Sequence, residues 1–123
     1  MGDERVARAR EIIWEAVRAN LAAGGTMQAA TWGVDRVPVE GKPGISTWVR
    51  REDEGCCPMG AMLLGRETAS STVWAGILKI QEVLGCTDNE GCDFMAGYDG
   101  RPIIRSDDPW FVLGREARLE FGP

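Results

Sequence analysis

Apolar residues recur along this chain at two different spacings. Between Asp3 and Ala23, the residues Val6, Ala9, Ile13, Ala16, Val17 and Leu21 return every three or four positions, while Arg5, Arg8, Glu11, Glu15 and Arg18 take the other faces. That period predicts an amphipathic helix, and Gly24-Gly25 ends it. Over residues 26–54 the pattern changes. Val34 to Glu40 and Ile45 to Arg51 are short, rich in β-branched residues and separated by Gly41-Lys42-Pro43-Gly44, which predicts a small two-stranded hairpin. Pro38 lacks the N–H that a ladder needs, so its strand belongs at a sheet edge. An extended loop is the competing reading of this third of the chain.

The segment Gly55-Cys56-Cys57-Pro58-Met59-Gly60-Ala61-Met62-Leu63-Leu64-Gly65 carries no charge. Pro58 suits the first helical position, where a missing N–H leaves nothing unpaired. Gly65 suits the left-handed residue beyond a helix end. Two turns of uncharged helix over 58–64 therefore belong in the core. A second central helix is expected from a cap at Ser70 or Ser71 to Leu84, because Val73, Trp74, Ile77, Leu78, Ile80, Val83 and Leu84 make it apolar over most of its girth. Gly85 stops it. Thr87-Asp88-Asn89-Glu90 has the Thr-x-x-Glu form of a capping box and opens a helix through Phe94, Met95 and Tyr98 that ends near Gly97 or Gly100. Asp107-Asp108-Pro109 opens the last helix, an acid cap followed by proline, with Trp110, Leu113, Ala117 and Phe121 facing inward. Gly91, Gly97 and Gly114 fall within helical stretches and point to close helix approach or termination. The fold expected is mainly α, with about five helices around the buried 58–64 and 71–84 pair and at most a small β-hairpin. No linker or repeat divides it, so residues 1–123 form a single globular domain.

At 123 residues, with 44% hydrophobic and 27% charged side chains, the chain can bury one core without staples. No apolar run approaches the roughly 20 residues of a bilayer span, and Met1-Gly2-Asp3-Glu4-Arg5 lacks the character of a signal peptide. A cytoplasmic protein without membrane contact is expected. The net charge of −5 is concentrated: Glu82 to Asp108 holds seven acids against Arg101 and Arg105, and the other segments sum to zero. This sign disfavours nucleic acid, whose phosphates are bound by clustered Lys and Arg. It suits a solvated face or a docking face for a basic partner.

The chain contains no histidine, which removes Ser-His-Asp and Cys-His catalysis, histidine metal sites and a histidine pH switch. Cys56, Cys57, Cys86 and Cys92 are the one candidate set for chemistry. Their spacing fits zinc poorly, since structural sites use tight pairs separated by two to four residues. Buried free thiols are the simpler expectation, although Cys57 beside a helix N-terminus would have its thiolate stabilised by the dipole. Asp88, Glu90 and Asp93 do not make a calcium loop, because Cys92 stands on a ligand position and no distant Glu follows. Neither phosphate-binding glycine fingerprint is present. No catalytic residue, metal or cofactor is assigned.

The first helix, the Gly-rich connection and Cys-x-x-Gly-Ala-Met from Cys57 to Met62 together resemble small uncharacterised actinobacterial and phage proteins that carry a Cys-x-x-Gly-Ala-Leu helix. Gly97-Tyr98-Asp99-Gly100 departs from their pattern. The resemblance implies a phage or mobile-element origin and no activity. Five tryptophans, at 14, 32, 48, 74 and 110, exceed what one small core needs, and Trp14 lies off the apolar stripe of its helix. Tryptophan is enriched at binding hot spots. The leading expectation is a non-enzymatic interaction or accessory protein that engages a protein partner or a second copy of itself. Asp93, Asp99 and Asp107 are its candidate contacts, with Tyr98 and Trp110 adding apolar surface beside helix ends. Two alternatives follow from other residues: a small-molecule domain with a pocket lined by Trp, Met and Tyr98, and a thiol- or zinc-dependent protein using the four cysteines.

Overall fold

The computed structural model describes residues 3–71, 74–101 and 107–122. Helix α1 covers Asp3–Ala22. Strands β1 (Val34–Pro38), β2 (Ile45–Arg50) and β3 (Glu67–Ala69) form an antiparallel sheet in the order β1-β2-β3. Four further helices follow the chain: α2 (Pro58–Leu63), α3 (Ala75–Leu84), α4 (Asp88–Asp99) and α5 (Pro109–Phe121). The fold is thus mainly α with a small sheet. No helix among the described residues is long and apolar enough to cross a membrane.

The hairpin forms where the pattern predicts it, and β1 is an edge strand with Pro38 at its end, opposite Ser46. Along β2 the alternation places Ser46 and Trp48 inward and leaves Val49 exposed. Strand β3 has no counterpart in the sequence reading, because Glu67-Thr68-Ala69 is too short to show alternation. It forms because the second edge of β2 accepts it, pairing Ile45 with Ala69 and Thr47 with Glu67.

That pairing also corrects the expected start of α3. Ser70 donates its N–H to the Gly44 carbonyl, and its hydroxyl lies 2.6 Å from that of Ser46. It is held by the sheet and caps nothing. The helix begins at Ala75 after Trp74, which supplies no side-chain cap; Val73 lies outside the described residues. The expected all-round burial is corrected too. Ala75, Gly76, Ile80 and Leu84 are buried, whereas Trp74 is 66% and Leu78 53% exposed.

The other helix ends follow local chemistry. Thr87 Oγ1 accepts from the Glu90 N–H at 3.2 Å, and Glu90 Oε1 accepts from the Thr87 N–H at 2.8 Å, completing the capping box. Asp108 Oδ1 accepts from the N–H groups of Trp110 and Phe111. Every residue of α2 is buried, and Leu63 joins Ile13, Val17, Phe94 and Tyr98 in the fully buried core. Trp14 is also core. Its ring meets Phe121 edge-on at 5.3 Å and Arg10 stacks 4.1 Å from its centre, fastening α1 to α5.

Helices α4 and α5 make the most extensive helix contact, and two glycines permit it. A Cβ on Gly97 would stand 2.1 Å from the Phe111 carbonyl oxygen, and one on Gly114 would stand 2.0 Å from that of Phe94. Backbone therefore packs on backbone. Gly91 differs: a Cβ there would meet only the Cys86 sulfur, at 3.9 Å. The two positions should respond oppositely to the same change. Gly97→Ala should destabilise by at least about 2 kcal/mol through overpacking against immovable backbone. Gly91→Ala should stabilise by about 0.5–1 kcal/mol from helix propensity alone. Urea titration of both variants checks the pair, and equal signs would refute the crossing geometry.

Candidate functional site

A segment with no regular structure builds the candidate site. After α1, residues 26–31 run beside 55–57, with Gln28 N–H bonded to the Cys56 carbonyl, Cys56 N–H to that of Thr26 and Cys57 N–H to that of Thr31. This ladder delivers Trp32 between two helices. A Cβ on Gly60 of α2 would stand 1.8 Å from the Trp32 carbonyl oxygen, and one on Gly76 of α3 would stand 2.5 Å from the Trp32 ring. Two missing side chains make the slot that holds Trp32, its carbonyl at Gly60 and its indole at Gly76.

The Trp32 ring, half-buried, is one wall of a cleft of about 570 Å³. Met59 of α2 and Ile77 and Ile80 of α3 continue the apolar lining. Helix α4 closes the opposite side with Gly91, Cys92 and Met95, and Thr31, Gln81, Asp88, Asp99 and Arg101 supply polar edges. Such a volume with a mainly apolar wall and few polar groups suits a small-molecule ligand.

Ala30 sits on the rim with φ 64°, a left-handed conformation that a non-glycine residue adopts at a cost. Its N–H donates to Asp99 Oδ1 at 3.0 Å. The other carboxylate oxygen of Asp99 faces Arg101 at 3.4 Å, and the side chain is only 10% exposed. Asp99 thus ties the rim loop to the end of α4.

The five residues expected to contact a partner are not assembled into one surface. Asp99 reaches the cleft, where its carboxylate is engaged by the rim. Asp93 is half-buried on α4, and Asp107 is exposed in the turn before α5. Tyr98 and Trp110 are corrected to core positions. Tyr98 is fully buried, its hydroxyl donates to the Gly122 carbonyl at 2.6 Å, and burial pushes its phenol well up. Trp110 is 4% exposed beneath the Arg5 guanidinium. Trp110 lies on the inward face that the periodicity of its helix predicts, and Tyr98 is drawn inward by the α4–α5 crossing at Gly97 and Gly114. Tyr98 is also absent from the cleft wall. The acidic excess is partly spent on structure: Glu90 pairs with Arg5 at 2.5 Å, Glu82 with Lys79, and Asp108 caps α5. Burial raises the Glu90 carboxyl, but the Arg5 hydrogen bond and the cap bring it below its ordinary value.

Three thiols are buried, as expected, and Cys92 is exposed. For Cys57 burial prevails over the alternative of dipole activation. Backbone N–H groups of Met59 and Gly60 do favour its thiolate, yet burial outweighs them and pushes the thiol up to about 12. Burial likewise raises Cys56, Cys86 and Cys92. Among the described residues no three Cys, Asp or Glu side chains converge to hold a metal ion. The residues that sequence reasoning missed are Ala30, Trp32, Met59, Ile77 and Met95. The surplus of tryptophan was a signal for one of them, and the glycines at 60 and 76 were the sign of its slot. Compared with known proteins, the chain matches no family model, no curated protein and no solved structure.

Three outcomes follow. Ala30→Gly should stabilise the protein by about 0.5–1 kcal/mol, because glycine accepts the left-handed backbone without Cβ strain; thermal melts measure it. The thiols should separate by exposure. With a disulfide reagent at pH 8, Cys92 should react first and Cys57 only after unfolding, with the fast phase lost in Cys92→Ser. The raised Cys57 thiol contributes stability below its ordinary value of 9.0 that is lost as pH rises toward about 12. Urea midpoints measured from pH 8 upward should therefore fall.

Proposed function

We propose that this protein is a binding protein for a small, neutral, flat apolar molecule held in the cleft between Trp32, α3 and α4. One observation carries the reading: the slot made by Gly60 and Gly76 presents the Trp32 ring as a wall of a cleft whose other apolar lining comes chiefly from isoleucine and methionine. Aromatic stacking and sulfur contacts favour planar ligands, and methionine adapts to irregular ones. The strained Ala30 and its tether to Asp99 support the same reading, since backbone strain gathers at ligand clamps.

A second reading keeps the role of interaction or accessory protein, and a specific observation favours it. Trp74 and Leu78 stand exposed one helical turn apart at the start of α3, and tryptophan is a frequent binding anchor. The resemblance of Cys57–Met62 to phage proteins would give such a role a mobile-element setting. The two readings concern neighbouring stripes of one helix, because Ile77 and Gln81 border Trp74 and Leu78 on the helical surface.

Indole is a suitable first probe for the cleft. Titration followed by amide chemical shifts should be saturable and should move Trp32, Ile77, Gly91 and Met95. Gly91→Leu directs a side chain into the cleft without a backbone clash. It should weaken indole binding by about tenfold or more, consistent with losing a well-packed aromatic contact, while the fold stays intact. Undiminished binding in that variant, or no saturable binding in the wild type, would refute the cleft as a ligand site.

A further inference from the structure

A second concavity, with different chemistry, lies along α1. It is a groove of about 650 Å³ between α1, α2 and α3, with apolar walls from Ile12, Ala16, Ala19, Met62, Leu64 and Val83. Two arginines line it as well, Arg50 at the end of β2 and Arg66 just beyond α2.

Among the described residues both guanidinium groups are fixed through Nε alone. Arg50 lies on the same side of β2 as the buried Trp48, so it points toward the helices, where its Nε donates to Asn20 Oδ1 at 2.8 Å. Asn20 is 2% exposed and is itself locked, because its amide nitrogen donates to the Thr26 carbonyl, Met27 Sδ and Cys56 Sγ. Arg66 Nε donates to the Met62 carbonyl at 2.7 Å. Among the described residues neither arginine forms an ion pair. The exposed Glu15 also lines the groove without pairing with either. In an acidic protein, two oriented guanidinium groups at an apolar groove are an anion-recognising arrangement.

We infer that this groove binds a monoanionic amphiphile, a carboxylate on an unbranched hydrocarbon tail. The carboxylate accepts hydrogen bonds from the free Nη groups of Arg50 and Arg66, and the tail lies on the α1–α2–α3 walls. One negative charge matches the two arginines once Glu15 is counted. The walls are helix faces whose backbone groups are already bonded, so an extended peptide would gain no main-chain pairing there. A hydrocarbon tail asks for none. The site is separate from the cleft and does not depend on the ligand proposed for it.

Dodecanoate is the probe, titrated below its micellisation concentration and followed by calorimetry and amide shifts. The expected result is saturable binding that moves Ala16, Ala19, Ala61 and Val83, with dodecan-1-ol binding about tenfold weaker or less. Arg50→Gln and Arg66→Gln should each lose about tenfold in affinity, Arg66→Gln with unchanged melting behaviour, and binding should weaken with salt. Should Arg50→Gln perturb the fold through Asn20, the exposed Arg66 still decides the matter. Equal affinity for the acid and the alcohol, unchanged binding in Arg66→Gln, shifts centred on Trp32 and Gly91, or no binding at all would each overturn the inference. So would capture of a helical acidic peptide in place of the fatty carboxylate.

Discussion

Helices α4 and α5 cross with no side chain between them at Gly97 and Gly114, and this contact governs the second half of the molecule. Backbone on backbone leaves no room for the adjustments that ordinary side chains permit. The crossing turns Phe94 and Tyr98 from α4 and Trp110 and Leu113 from α5 toward α1 and α2. It fixes the height of α4 against the rest of the core, and with it the positions of Gly91, Cys92 and Met95 on the cleft wall. Helix α1 then seals the pair from the outside. Arg5 binds Glu90 and the Gly85 carbonyl while covering Trp110. Arg10 pairs with Glu116 and Arg18 with Glu120. These exposed ion pairs contribute little to stability singly, but they set the register of α1 along α5.

The same device, a glycine where another chain segment must pass, recurs at Trp32. Here it is an aromatic ring and a carbonyl that occupy the missing side chains of Gly76 and Gly60. The result is a rigid indole at the mouth of a cleft whose other walls are soft and apolar. A loop that would otherwise wander is held by hydrogen bonds to Cys56 and Cys57, by Asp99 and by the slot. Rigid presentation of an aromatic wall is what reduces the entropy lost when a ligand binds.

Charge is divided between the two concavities. The cleft has Asp88 and Asp99 opposed by Arg101, and the groove has Arg50 and Arg66 opposed by Glu15. The buried Asn20 network explains why the groove arginines are oriented. An amide in the core must satisfy its donors and acceptor, and Arg50 is the acceptor's partner. Cys56 and Cys57 belong to this packing: Cys56 accepts from Asn20, and burial pushes the Cys57 thiol up.

Sequence alone determined the helices with strong periodicity and explicit ends. Thr87–Glu90, Asp108-Pro109 and Pro58–Gly65 carry their own start and stop chemistry, which acts within one turn and needs no distant partner. It also pointed to the hairpin, with an extended loop as the competing reading, and to the edge position of Pro38 and the buried character of α2, because each follows from a local constraint on hydrogen bonding or solvation. Tertiary structure alone decided which aromatic residues face solvent. Tyr98 is buried and Trp74 is exposed because the α4–α5 crossing at Gly97 and Gly114 and the seat of Trp32 against Gly60 and Gly76 set how these helices are rotated about their axes, and Trp14 is covered by Phe121 of α5. A missing side chain says that something passes close by, yet what passes is settled by contacts far apart in the chain. The cleft, the groove and the left-handed Ala30 all arise from such contacts, and so lay beyond a reading of neighbouring residues.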